Sequence, residues 1–137
     1  MGMYTGLRCK VKLKDKFIPM IETMIKNHSW ANLGYDFTDK FNKDSRAIFI
    51  PFSALEYMPW NEDDPEWENR VENGIWTFQC SLKDYNDTIR NFFDTILSNI
   101  AESSYYIETL YEEWDISTIY EISDDKVLNK GKGIWYK

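Results

Sequence analysis

Few residues in this chain could do chemistry, and they are scattered. His28 is the only histidine. A serine or cysteine nucleophile would need it as the base. It stands at the carboxyl end of the first predicted helix, where a histidine commonly answers the helix dipole. Cys9 and Cys80 are far apart in sequence, and with one histidine they make no zinc-ligand pattern. Carboxylates are more plentiful. Glu62, Asp63 and Asp64 are consecutive, and Glu112, Glu113 and Asp115 gather at a turn. Paired carboxylates can hold Mg²⁺ or act as acid and base. Neither run has calcium-loop spacing, however, and consecutive acids point in different directions, so both read as solvated surface. "GKG" at 131–133 lacks the strand, the spacing and the Ser or Thr of a phosphate loop. These residues imply no cofactor, no metal and no catalytic site.

The densest chemistry is of another kind. "YMPWNEDDPEWENRVENG", residues 57–74, holds two tryptophans, two prolines and six acids. It joins two predicted strands that a two- to five-residue turn could close. Tyr57, Trp60 and Trp67 are ring types that anchor interfaces. Glu62, Asp63 and Asp64 would attract a basic protein partner. These six residues form the candidate contact surface. The same tryptophans could instead fold back and cover a sheet edge, and both readings stay open.

The elements that position these residues follow from periodicity. "TGLRCKVKLK" alternates, with Leu7, Cys9, Val11 and Leu13 on one side and Arg8, Lys10, Lys12 and Lys14 on the other, which predicts a half-buried strand. Asp15 can cap a helix carrying Phe17, Met20, Ile21, Met24 and Ile25 on one stripe. Residues 28–45 show no clear period and read as a loop with one helical turn. "RAIFIPF", 46–52, reads as a short edge strand, because Pro51 cannot donate to a ladder. "GIWTFQCSL" alternates again. Asp84 opens a helix whose Ile89, Phe92, Phe93, Ile96, Leu97 and Ile100 form a regular core stripe. "SYYIETLYEEW" and "ISTIYEIS" read as a hairpin. The tail, 124–137, reads as turn-rich and loosely held, with Ile134, Trp135 and Tyr136 able to dock.

The order β-α-β-β-α-β-β predicts a single α+β domain. Its first six elements match a ferredoxin-like split βαβ. A fifth antiparallel strand is added beside the fourth, and two helices lie on one face of the sheet. The first strand would then neighbour the fourth, setting Arg8, Lys10 and Lys12 against Glu108 and Glu112. Each such pair contributes about 0.2–1 kcal/mol.

Composition limits the function classes. A chain of 137 residues that is 43% hydrophobic can build one proper core. Six Trp, nine Tyr and eight Phe exceed what that core needs, so some rings belong at the surface. Net charge is −7, with 9 Lys+Arg against 5 Asp+Glu before residue 53 and 7 against 18 after it. An acidic chain is repelled by phosphate backbones, which argues against general nucleic-acid binding. No apolar run suggests a membrane span or signal core, and the two cysteines fit buried thiols, so a cytoplasmic protein is expected. A second function class stays in view: a small-molecule or nucleotide-binding domain whose pocket is walled by Tyr35, Trp60, Trp76 and Tyr111.

"MYTGLR", "DSRAIFIPFSALEYMP" and "WTFQCSLK" together resemble small uncharacterised proteins of bacterial and phage genomes. The resemblance covers most of the chain and brings no assigned activity or site. It implies a mobile-element setting, in which small acidic proteins bind and block a host protein.

Overall fold

The computed structural model describes residues 3–56, 58 and 65–136. The fold mixes helix with a six-stranded sheet. The strands are β1 (Tyr4–Leu13), β2 (Arg70–Glu72), β3 (Ile75–Lys83), β4 (Ala101–Tyr111), β5 (Ile116–Ser123) and β6 (Lys126–Trp135). Their order is β2-β3-β1-β4-β5-β6, with every pairing antiparallel. The alternating pattern of β1 explains its central place. Leu7, Cys9, Val11 and Leu13 are fully buried on one side. Leu7 lies opposite Cys80 and Cys9 opposite Phe78, so both cysteines face the core as free thiols. Burial pushes both thiols up.

Helices cover that face. A 3-10 turn, Asp15–Phe17, leads into α1 (Ile18–Asn27), with Pro19 in its first turn, where a missing N–H costs nothing. Asp15 makes no side-chain cap; it lies inside the 3-10 turn. His28 ends α1 in a left-handed conformation and packs on Phe52, ring centroids 4.2 Å apart. α2 (Asp36–Asn42) and the short α3 (Phe49–Phe52) follow. Thr88–Asn91, Phe92–Leu97 and Ser98–Ile100 run on as one helix, α4, whose middle six residues wind as a π-helix. Its expected stripe is buried throughout. Asp84 caps it from outside, accepting the Ile89 N–H at 3.1 Å, while Asp87 takes the N-cap position itself. Burial raises the Asp84 carboxyl above the usual range, and bonds from Ile89 and Thr88 pull it back down. At the centre of the core Trp30 meets Phe41, Trp76 and Phe92, and its Nε1–H donates to the Ile50 carbonyl at 2.6 Å.

Three sequence-based expectations need correction. Arg46–Phe52 is not a strand. Asp44 accepts the Arg46 N–H, and Ala47, Phe49 and Ile50 each donate to a carbonyl three residues back. Ala47 and Ile50 are buried while Ile48 and Phe49 are exposed, a spacing of turns rather than of a pleat. The strand beside β3 is instead Arg70–Glu72. Residues 28–45 hold a full helix, α2, beside the core residue Trp30. The tail is not turn-rich: Lys126–Trp135 pairs along β5 as β6, making six strands rather than five.

Candidate functional site

The second face of the sheet was expected to be polar and wet. It is covered over its centre. The even residues of β1 point there, yet Arg8 has no exposed surface, and neither does Glu108 opposite it on β4. Their closest approach is 3.5 Å. The Tyr136 hydroxyl completes the pair, donating to Glu108 Oε2 at 2.9 Å and accepting from Arg8 Nη1 at 3.0 Å. Arg8 Nε donates to Gln79 Oε1 at 3.1 Å. Such a pair is stable only when its remaining hydrogen-bonding groups are met, and here they are: no buried side-chain N or O among the described residues lacks a partner.

The cover comes from the described flanks of the loop that the sequence singled out. Arg8 Nη2 donates to the Met58 carbonyl at 2.9 Å. On β3, Ser81 Oγ donates to the Ala54 carbonyl at 2.7 Å and Thr77 Oγ1 to the Glu68 carbonyl at 2.9 Å. Both flanks of the loop are thus pinned to polar side chains of the sheet. Leu55, Met58 and Leu110 form a second small core beneath, with Tyr136 packed against it. Gly6 makes this approach possible, since a Cβ there would lie 2.7 Å from Met58 Cγ.

Trp67 is the one proposed contact residue among the described residues, and it is buried. It sits in the 3-10 turn Pro65–Trp67 with its ring 5.8 Å from that of Tyr106. Tyr57, Trp60, Glu62, Asp63 and Asp64 lie outside the described residues. At the foot of the loop Lys10, Glu66, Trp67, Tyr105, Tyr106 and Ile134 line an open groove of about 380 Å³. Tyr105 is 57% exposed and Ile134 39%. Lys10 reaches Glu66 at 3.7 Å and lies 5.9 Å from the Tyr105 ring centroid. Burial, reinforced by Glu108, holds the Tyr106 hydroxyl in its neutral form well beyond the usual tyrosine range.

The three described walls of the proposed aromatic pocket, Tyr35, Trp76 and Tyr111, do not share one cavity. Trp76 is fully buried in the main core, and Tyr35 packs on Phe17 and Phe37 at its edge. Tyr111 lines a separate cleft of about 330 Å³ near the start of α4, with Asp84, Arg90, Trp114 and Tyr120. Trp60 lies outside the described residues. Among the carboxylates, Glu112 accepts the Tyr4 backbone N–H at 2.5 Å and not a lysine of β1. Lys12 pairs with Glu102 at 3.2 Å instead. No group of three or more His, Cys, Asp or Glu among the described residues could hold a metal. Nor is any described helix long and apolar enough to cross a membrane.

Sequence reasoning missed Tyr105; of the three tail residues expected to dock, Tyr136 does so against Leu55, Met58 and Leu110, while Ile134 is 39% and Trp135 60% exposed. One signal was available. A glycine inside an alternating strand, Gly6, marks a close approach of another group, here the Met58 side chain on the supposedly open face. No family model, curated protein or solved structure matches the chain.

Proposed function

We propose that the protein is a small non-catalytic binding protein that acts by occupying a protein partner. Its contact surface is the acidic aromatic loop, 53–73, with the groove at the loop's foot. The observation that carries this reading is the pinning of both loop flanks to the sheet, beside exposed Tyr105 and Ile134. A base fixed at both ends lowers the ordering cost of binding. Exposed rings supply anchorage, and carboxylates speed encounter with a basic partner. The resemblance to small phage and bacterial proteins fits an inhibitor that occupies a host protein. We also read the sheet as a ferredoxin-like split βαβ with strands appended beyond β4. The place of β1 between β3 and β4 supports this.

The cleft near α4 favours a second reading, a small-molecule site, because an exposed tryptophan, Trp114, stands beside Tyr111, Asp84 and Arg90.

The test is recovery of a partner from the native host by the parent protein, by Trp60→Ala, and by Glu62→Gln with Asp63→Asn and Asp64→Asn. The parent should retain one protein in stoichiometric amount, released by salt. Both variants should lose it without a change in melting temperature. Equal recovery by all three proteins would remove the loop from the contact.

A further inference from the structure

A second groove opens on the loop-bearing face, at the other end of β1. Tyr4, Arg46, Phe49, Ser53, Ala54, Glu56, Ser81, Leu82 and Lys83 surround about 300 Å³. Its rim is unusual for an acidic protein in carrying two cations and one carboxylate. Neither cation has an ion pair among the described residues. Each lies instead over an aromatic ring, Arg46 over Tyr85 at 4.5 Å and Lys83 over Tyr4 at 5.5 Å.

Stacking occupies the face of a guanidinium and leaves its N–H edge available. That edge matches a planar carboxylate, which it can bind through two parallel hydrogen bonds. The ring contacts also restrain two otherwise mobile side chains before any ligand arrives. The two serine hydroxyls of the groove are engaged by carbonyls. The single Ser53 hydroxyl proton is within reach of the Phe49 and Ser81 carbonyls, and Ser81 Oγ donates to the Ala54 carbonyl. The apolar part of the lining is led by Phe49, 38% exposed, and the Glu56 carboxylate also stands on the rim. The volume is at the lower end of the range for ligand pockets, which suits a compact molecule.

We propose that this groove binds a small carboxylic acid with an apolar body, its carboxylate held between Arg46 and Lys83 and its hydrocarbon part against Phe49. The site is separate from the acidic loop contact and does not depend on it.

The probe is 3-phenylpropanoate, with 3-phenylpropanamide as its uncharged counterpart, each titrated against the full chain by amide NMR. The acid should shift the amides of Ala54, Glu56 and Leu82 and bind about tenfold or more tighter than the amide. Arg46→Gln and Lys83→Gln should each weaken the acid several-fold and leave the amide unaffected. Both side chains are at the surface, so unchanged melting temperatures will show that the variants fold. Equal binding of acid and amide would overturn the proposal, as would inorganic phosphate or acetate moving the same amides equally well. An acidic peptide that moves them where phenylpropanoate does not would assign the groove to a macromolecular partner and also overturn it.

Discussion

Replacing Glu108 by Gln leaves Arg8 charged, buried and without its counter-ion. Breaking a buried pair in this way costs about 3–5 kcal/mol. Urea unfolding of Glu108→Gln should show a loss of that size. Arg8→Met combined with Glu108→Leu removes both charges and should recover part of it. If the double variant is no better than the single one, the charge is not the cause. The hydroxyl above this pair adds a pH dependence. Burial, then Glu108, pushes the Tyr136 hydroxyl up to about 12, against an ordinary value of about 10. The folded state therefore holds this proton more tightly than the unfolded chain. The stability it confers is complete below the unfolded value and is lost as pH rises through the folded one. Melting temperature should fall between about pH 10 and pH 12, and fall less steeply in Tyr136→Phe. Tyr106, raised by the same causes, should keep part of the slope. An identical slope in the variant would remove Tyr136 as its source. The facing of Arg8 and Glu108 was legible in the alternation of β1. Their burial was not, because alternation tells which face a residue takes and nothing about what lies over that face.

The same limit separates the elements that sequence reasoning placed from those it missed. α4 was legible because six apolar residues recur at helical spacing and all meet the core. Phe93 is 1% exposed and packs on Phe92 and Tyr120. Phe93→Ala should cost about 3–5 kcal/mol in thermal or chemical unfolding. A variant as stable as the parent would mean that the helix does not seat there. Residues 46–52 were misread because a short apolar run fits strand and helix equally. One deciding fact was local and the other long-range: the Asp44 carboxylate accepts the Arg46 N–H, and it also accepts bonds from Thr88 and Asn91 of α4. β6 escaped notice for the opposite reason. It lies at the sheet edge, Val127 is the only buried residue along it, and it carries Lys126, Lys130 and Lys132. Lysines and glycines keep an open edge from pairing further, and they also erase the period that would reveal a strand.

At the scale of the molecule, helices cover one face of the sheet, and the described flanks of the acidic loop cover the Arg8–Glu108 pair on the other. The loop's two tryptophans separate its structural part from its proposed contact part. Trp67 is buried against Tyr106, next to the pinning bond from Thr77 to Glu68. Removing a ring so placed leaves a cavity, so Trp67→Ala should lose about 3 kcal/mol of stability or more. Its effect on binding would follow from a loosened loop foot. Trp60 stands in the chain among Asn61, Glu62, Asp63 and Asp64, the acids to which the proposal gives the partner. Trp60→Ala should therefore keep the parent's melting temperature and lose about 2 kcal/mol or more of partner affinity. The contrast matters more than either value. A loop that only covers the sheet would destabilise the protein in both variants and leave captured partner unchanged. A loop that holds a partner from a fixed foot would divide the two effects, stability to Trp67 and affinity to Trp60. Melting curves and partner recovery measured on both variants together distinguish the two cases. If Trp60→Ala melts early and still binds, the acidic segment is scaffold.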